Sequence, residues 1–168
     1  MGTSESADET VDAFWHVARR HARLDHMPGY FGPTPLASVT PPAWRFGANP
    51  EQADELLALV LDGTKTATAS ALRDYEAEGE PLPEPGTLGI VLDGRDRPRA
   101  LVTTTTVEVR PFDEVDAEHA WLEGEGDRSL AHWREVHEEF FSGHAGHDRG
   151  FAPDMPVVLE RFDVLYAA

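Results

Sequence analysis

The sequence predicts an α+β fold: a small mixed β-barrel with surrounding helices and an N-terminal helical extension. Three observations lead there. Helical periodicity fills two segments of the first third, short β-prone runs alternate with brief helical ones through the middle, and one strand closes the chain. Few βαβ units are available for a doubly wound sheet, so a short curled sheet fits better. At 168 residues the chain suits one domain with a core of its own.

The elements follow in order. Ser6 to Leu24 reads as a helix with an apolar stripe of Val11, Phe14, Trp15, Ala18 and Ala22; Arg19, Arg20 and Arg23 face away. Ser6 with Glu9 suits a capping box at its start. Pro28 to Pro42 is rich in Pro and Gly, has no period, and reads as an irregular arm. The second helix has the clearest punctuation. Asn49 is an N-cap, Pro50 suits the first helical position, and Glu51 complements the helix dipole. Ala53, Leu56, Leu57, Val60 and Leu61 repeat at helical spacing, and Gly63 supplies a left-handed stop directly before Lys65.

Thr66 to Ser70 reads as a short strand and Ser70 to Glu78 as a brief helix. Thr87 to Leu92 and Arg99 to Val109 read as strands joined across Asp93-Gly94 in a hairpin. The threonines from Thr103 to Thr106 suit a strand because β-branched side chains fit a pleat. Asp113 to Leu122 is weakly helical. Leu130, Trp133, His137, Phe140 and Phe141 mark a stronger helix, with Asp127 as its cap. Pro156 to Tyr166 is the closing strand, with Val158, Phe162 and Val164 on one face. Residues 1–43 thus read as an N-terminal helix and arm, and residues 44–168 as the main domain.

Composition narrows the function. The chain has no cysteine, which excludes disulfides and cysteine-ligated zinc and fits the cytoplasm. No apolar run approaches membrane-spanning length, and no apolar signal core follows a basic patch, so no membrane partner is expected. A net charge of −17 argues against a broad hold on DNA or long RNA, while leaving room for a local pocket that takes one nucleoside.

Lys65 is the only lysine. Arginine cannot do lysine's proton chemistry, because its guanidinium stays charged. The run Asp62-Gly63-Thr64-Lys65-Thr66-Ala67-Thr68 puts this lysine and several hydroxyls at a helix-to-strand turn. Such turns set side chains at the rim of a rigid scaffold. A threonine hydroxyl becomes a nucleophile once a base takes its proton, and Lys65 with Thr68 would meet that need. Residues three apart on a strand face opposite sides, so the pair converges only if Lys65 still lies in the turn or the strand bulges. This is not a phosphate-binding P-loop, since the Gly-rich stretch and the strand-loop-helix order are missing. The run Glu123-Gly124-Glu125-Gly126-Asp127 reads first as a solvated acidic loop; its glycines would also allow a ligand to approach closely.

Several motifs in one order give a resemblance. Trp44-Arg45-Phe46-Gly47, Gly63-Thr64-Lys65-Thr66-Ala67-Thr68, Gly79-Glu80-Pro81-Leu82-Pro83 and Pro111-Phe112 lead it. Glu123-Gly124-Glu125-Gly126-Asp127 with Ser129-Leu130, Trp133-Arg134, and Asp154-Met155-Pro156-Val157-Val158 with Glu160-Arg161-Phe162 complete it. Together they resemble the ASCH domain family, a PUA-like β-barrel fold linked to RNA. Some small members resemble amidohydrolases that remove the acetyl group of N4-acetylcytidine with a lysine, a threonine three residues later and a distant glutamate. At least one other resembles a metal-assisted ribonuclease. The resemblance implies Lys65, Thr68 and Glu125 as the catalytic set, with Glu123 as the alternative acid. Trp44 or Tyr75 would stack on the base, Arg73 would contact a ribose or phosphate, and Thr66 and Glu123 would line the substrate pocket. A nucleoside or RNA-derived small molecule, or RNA itself, is the implied partner. No cofactor and no metal are expected. His137 lies on an apolar helix face, and His144 and His147 lie in a Gly-rich loop without matched carboxylate spacing.

Overall fold

The structure, a computed structural model, describes residues 3–23, 39–143 and 150–168. Among them it is a mixed α and β fold of five α-helices and one five-stranded sheet. In chain order these are α1 (Thr3–His21), β1 (Ala43–Trp44), α2 (Pro50–Leu61), β2 (Ala67–Ala71), α3 (Leu72–Glu78), β3 (Leu88–Leu92), β4 (Pro98–Pro111), α4 (Ala117–Glu123), α5 (Leu130–Gly143) and β5 (Pro156–Ala167). The strand order is β1-β3-β4-β5-β2. β1 runs parallel to β3, while β3 with β4 and β2 with β5 are antiparallel. A barrel would need the two outer strands to pair. β1 is two residues long and pairs with β3, so the sheet stays open rather than closing as expected.

The chain forms two compact units, Met1–Leu61 with Leu88–Thr103 and Val164–Ala168, and Asp62–Thr87 with Thr104–Asp163. In the first, Phe14, Trp15 and Ala18 of α1 are buried with Ile90 and Leu101, and Phe14 and His21 both contact the Tyr166 ring. The expected stripe is therefore the packed one. α1 starts at Thr3, so Ser6 lies inside the helix rather than at its start. Most of the expected irregular arm lies outside the described residues, but Thr40 at its end donates to Asp12 of α1 at 2.7 Å. α2 is punctuated as expected: the Asn49 side chain accepts from the Gln52 N–H at 2.9 Å.

The β3–β4 connection departs from a two-residue hairpin. Strand pairing stops at Leu92 and Pro98, with an irregularity between Val91 and Leu92. Asp93 organises the loop. Its buried carboxylate accepts from the Arg95 and Arg97 N–H groups and from Arg97 Nε, at 2.8 to 3.0 Å. Burial pushes this carboxyl up, and the hydrogen bonds from Arg97 and Arg95 outweigh it and hold it low. Gly94 does not take the positive φ of a type I′ turn; it packs on α2, where a Cβ would lie 2.4 Å from the Pro50 oxygen.

In the second unit β2 and β5 pair through Ala67↔Arg161, Thr68↔Glu160, Ala69↔Leu159, Ser70↔Val158 and Ala71↔Val157. Ala71, Val157 and Leu159 pack with Phe112, Val115, Ala120, Trp133, Phe141 and Met155 in its core. α5 is capped by Ser129, whose Oγ accepts from His132 N–H at 3.1 Å. Asp127, the expected cap, sits two residues too early and accepts from Ser129 N–H at 2.8 Å instead. On β5, Val158 and Phe162 are buried but Val164 is 39% exposed, so the expected apolar face ends before Val164. No described helix is long and apolar enough to cross a membrane.

Asp93→Ala removes the acceptor for three donors and leaves two loop N–H groups without it. It should lower stability by about 2–3 kcal/mol, measured by chemical denaturation.

Candidate active site around Lys65 and Glu123

All the groups that converge here belong to the second unit. Gly63, at φ +84°, and the Asp62 carboxylate, which accepts from the Thr64 N–H at 2.8 Å, turn the chain sharply after α2. Lys65 therefore precedes β2 rather than lying in it. Phe162 N–H donates to the Thr66 oxygen, and Thr68 faces Glu160. This register directs the even-numbered backbone groups of β2 toward β5 and the Ala67 carbonyl toward the open edge. Lys65 Nζ caps that carbonyl at 2.9 Å and reaches the Glu123 backbone oxygen at 3.5 Å. The side chain is only 3% exposed.

Glu123 is brought to Lys65 by α4. Asp116 caps this helix by accepting from His119 N–H at 2.9 Å, and Gly124 ends it at φ +72°. A Cβ on Gly124 would lie 2.5 Å from the Thr64 oxygen, so only glycine lets the helix end meet the lysine turn this closely. Thr66 N–H donates to the Leu122 oxygen at 2.8 Å, its hydroxyl lies 3.5 Å from the same oxygen, and Arg128 reaches Thr64 O at 3.4 Å.

The Glu123 side chain is fully buried. One oxygen faces His119 Nε2 at 3.1 Å, and the other takes Trp133 Nε1–H and faces His137 Nε2 at 3.1 Å. His137 Nδ1 lies 2.8 Å from the Trp133 carbonyl oxygen, which can only accept. Nδ1 therefore carries a proton, and Nε2 needs another to bond the carboxylate, so the geometry calls for an imidazolium. Burial pushes Glu123 up, but the Lys65 charge, then His137 and the hydrogen bonds from His119 and His137, hold it well below the usual carboxylate range. Burial pulls His137 down, and the Glu123 carboxylate outweighs it and raises it above its ordinary value of 6.5. The His137 ring also stacks on Trp133, with centroids 4.2 Å apart.

The acidic run is thus not simply a solvated loop: Glu123 is core and Glu125 half-buried beside it. Ligand atoms of Glu123, Glu125 and His137 lie within 4.8 Å of one another and could hold a divalent cation, which would have to replace the His137–Glu123 contact. His144 and His147 lie outside the described residues.

Thr68 faces away from this cluster. Alternation along β2 puts Ala69 and Ala71 against the Trp133 core, and Thr68 and Ser70 on the opposite face. There Thr68 sits across from Glu160, whose Oε1 accepts from the Thr104 hydroxyl at 3.3 Å, and Ser70 donates to the Tyr75 hydroxyl at 3.2 Å. Burial raises both Glu160 and Tyr75. Arg73 is half-buried on α3. Trp44 belongs to the first unit, where its ring covers Gly89 and meets Phe46 edge-on. Of the expected residues, then, Lys65, Glu123 and Glu125 gather at one cluster, and Thr68 and Tyr75 on the other face of the same strand pair. Sequence reasoning missed His119, the Trp133 indole and Glu160. Two of these carry a readable signal, since His119 precedes Glu123, and Trp133 precedes His137, by the four residues that align side chains on a helix.

The ASCH domain family model matches residues 42–166. A crystal structure of a protein from Enterococcus faecalis is similar at 35% identity, covering 93% of this chain and 88% of that one, with a TM-score of 0.79. The crystal structure of an ASCH domain from Lactobacillus crispatus is similar at 28% identity, covering 99% and 98% of the two chains, with a TM-score of 0.76. A search of curated proteins gave no match.

Because His137 is raised above 6.5 on folding, its contribution to stability is full below that pH and is lost as pH rises through the folded value. Glu123 is lowered, so its contribution persists through neutral pH and is lost only in acid, below 4.5. The melting temperature should therefore fall as pH is raised above 6.5, and His137→Gln should flatten that fall while lowering the plateau. Gly124→Ala should cost about 1–3 kcal/mol for the left-handed backbone alone, read by denaturation, with the Thr64 clash added.

Proposed function

The chain belongs to the ASCH domain family, a PUA-like fold, and from that premise we propose that it is an amidohydrolase of N-acylated nucleosides such as N4-acetylcytidine. The observation that carries this reading is the chain's one lysine, buried beside a buried carboxylate, three residues before the threonine of β2. Lysine, unlike arginine, can give and take a proton, so a lone lysine at this position suits proton transfer as well as charge compensation of Glu123.

In the proposed reaction Lys65 takes the proton of Thr68 Oγ, and Thr68 attacks the acyl carbonyl. Thr68 lies on the other face of β2, so this step requires the Lys65 stem to swing around the strand edge from its rest position at the Ala67 oxygen. Glu123, held by His119, Trp133 and His137, orients the Lys65 head and balances its charge once protonated. Glu125, half-buried beside Glu123, is the residue of the acidic run left to direct water. Arg73 and Tyr75 on α3 are the candidates for contacts to the ribose and the base, with Thr66 lining the approach. The net charge of −17 favours a small substrate over long RNA, although ASCH domains are generally linked to RNA. The absence of cysteine suits a cytoplasmic enzyme. We read residues 1–43 as an appendage to the ASCH domain, whose family match begins at residue 42.

A second reading, cation-assisted cleavage of RNA, draws on the Glu123, Glu125 and His137 atoms that lie within 4.8 Å of one another. The two readings part on one assay. Pure protein with N4-acetylcytidine should yield cytidine and acetate, unaffected by a chelator. Lys65→Arg keeps the charge but not the proton chemistry, and Thr68→Ala removes the nucleophile; each should lose at least about a hundredfold in kcat/KM while staying folded. An inert wild type that instead cuts RNA in a chelator-sensitive way would establish the second reading.

A further inference from the structure

The leaving nitrogen needs a proton donor on the Thr68 side of β2. When the C–N bond of an amide breaks, the departing nitrogen has to be protonated, because an amide anion is far too basic to leave. Lys65, holding the Thr68 proton, would be one source, but its Nζ rests at the Ala67 oxygen, 2.9 Å, and the Glu123 backbone oxygen, 3.5 Å, away from the Thr68 face. The structure offers a different group on the Thr68 side of β2.

Resting on the amidohydrolase reading, we propose that Glu160 is the general acid that protonates the leaving nitrogen. Thr68 and Glu160 are direct cross-strand partners in the β2–β5 ladder. Directly opposed residues share a face with their Cβ atoms about 4.5–5.5 Å apart, which is room for a carbonyl carbon on one and its nitrogen substituent on the other. The Glu160 carboxyl is anchored through one oxygen only. Oε1 accepts from the Thr104 hydroxyl at 3.3 Å, and among the described residues Oε2 takes no hydrogen bond. Thr104 on β4 is itself buried and held in place by Thr87. The titratable group that faces Glu160 from α3 is Tyr75, whose hydroxyl is neutral and bonded to Ser70. Unlike Glu123, then, Glu160 has no cation paired with it among the described residues, and its half-buried setting raises it above the ordinary 4.5.

The steps balance. Thr68 Oγ bonds to the acyl carbon as its proton passes to the Lys65 amine. The C–N bond breaks as the Glu160 carboxyl gives its proton to the nitrogen, releasing the amine and leaving an acyl-threonine ester and a Glu160 carboxylate. Water then attacks the ester, its proton returns to Glu160, and Thr68 Oγ leaves with the proton held on Lys65. The sum is amide plus water to amine plus carboxylic acid.

A leaving group that needs no proton separates this role from the rest of the site. Glu160→Gln keeps the shape and the acceptor for Thr104 but cannot donate an acidic proton. It should lose at least about a hundredfold in kcat/KM on N4-acetylcytidine and stay within about threefold of wild type in the first burst of p-nitrophenolate from p-nitrophenyl acetate, whose phenolate leaves unaided, while the later water step slows. Glu160→Asp, which retains an acid, should recover part of the amide activity. Thr68→Ala should lose both activities. Equal loss on amide turnover and ester burst in Glu160→Gln, or full amide activity in it, would overturn the acid role while Thr68→Ala still upholds the hydrolase. Wild type inert on both substrates would overturn the hydrolase and the acid together.

Discussion

A carboxylate with no exposure to water is the constraint from which the second unit is built. Isolated, the Glu123 charge would cost several kcal/mol to bury, so every element around it brings compensation. α4 supplies His119 one turn earlier on the same helix, α5 supplies Trp133 and His137, and the turn before β2 supplies Lys65. Removing one partner of such a buried set typically costs about 3–5 kcal/mol, because the remaining charge is left uncompensated. The same requirement explains the backbone. α4 has to end against the Lys65 turn, and Gly124 is the residue whose missing side chain allows it.

β2 divides the chemistry between its faces. It is an outer strand, and outer strands expose carbonyls and N–H groups that could template further pairing. Here Lys65 caps the Ala67 carbonyl at that edge, so one side chain both blunts the edge and stays next to a buried acid. The face toward α5 is apolar apart from the Glu123 set, while the face toward Thr104 is a run of hydroxyls and one carboxyl. The two glutamates differ for a physical reason. Glu123 has cations around it and is held ionised; Glu160 has a hydroxyl and is raised above its ordinary value.

Much of this was legible in the sequence, and what was not has identifiable causes. α2 was readable because Asn49, Pro50 and Gly63 are local signals that act on their own backbone. The β3–β4 turn was misread because Asp93-Gly94 has a strong local meaning, and burial of the Asp93 side chain overrode it. Asp127 and Ser129 are both good caps two residues apart, and only the start of α5 chooses between them. The site was half visible. Lys65 stood out by being alone in its type, and the family motifs brought Thr68 and the acidic run with it. An acid between glycines gives no local hint of burial, because its partners lie on another helix. Glu160 was hidden for a similar reason: its meaning comes from a cross-strand register that no single segment encodes.

The isolation of Lys65 has a practical side. Every other strongly basic side chain is arginine, so the folded protein presents no freely exposed side-chain amine to an acylating or reductively methylating reagent. Amine-directed immobilisation or fluorophore coupling would go to the chain terminus and leave the site intact. Isotope enrichment with labelled lysine would place a single reporter in the protein, and every change in its spectrum would come from the interior beside Glu123.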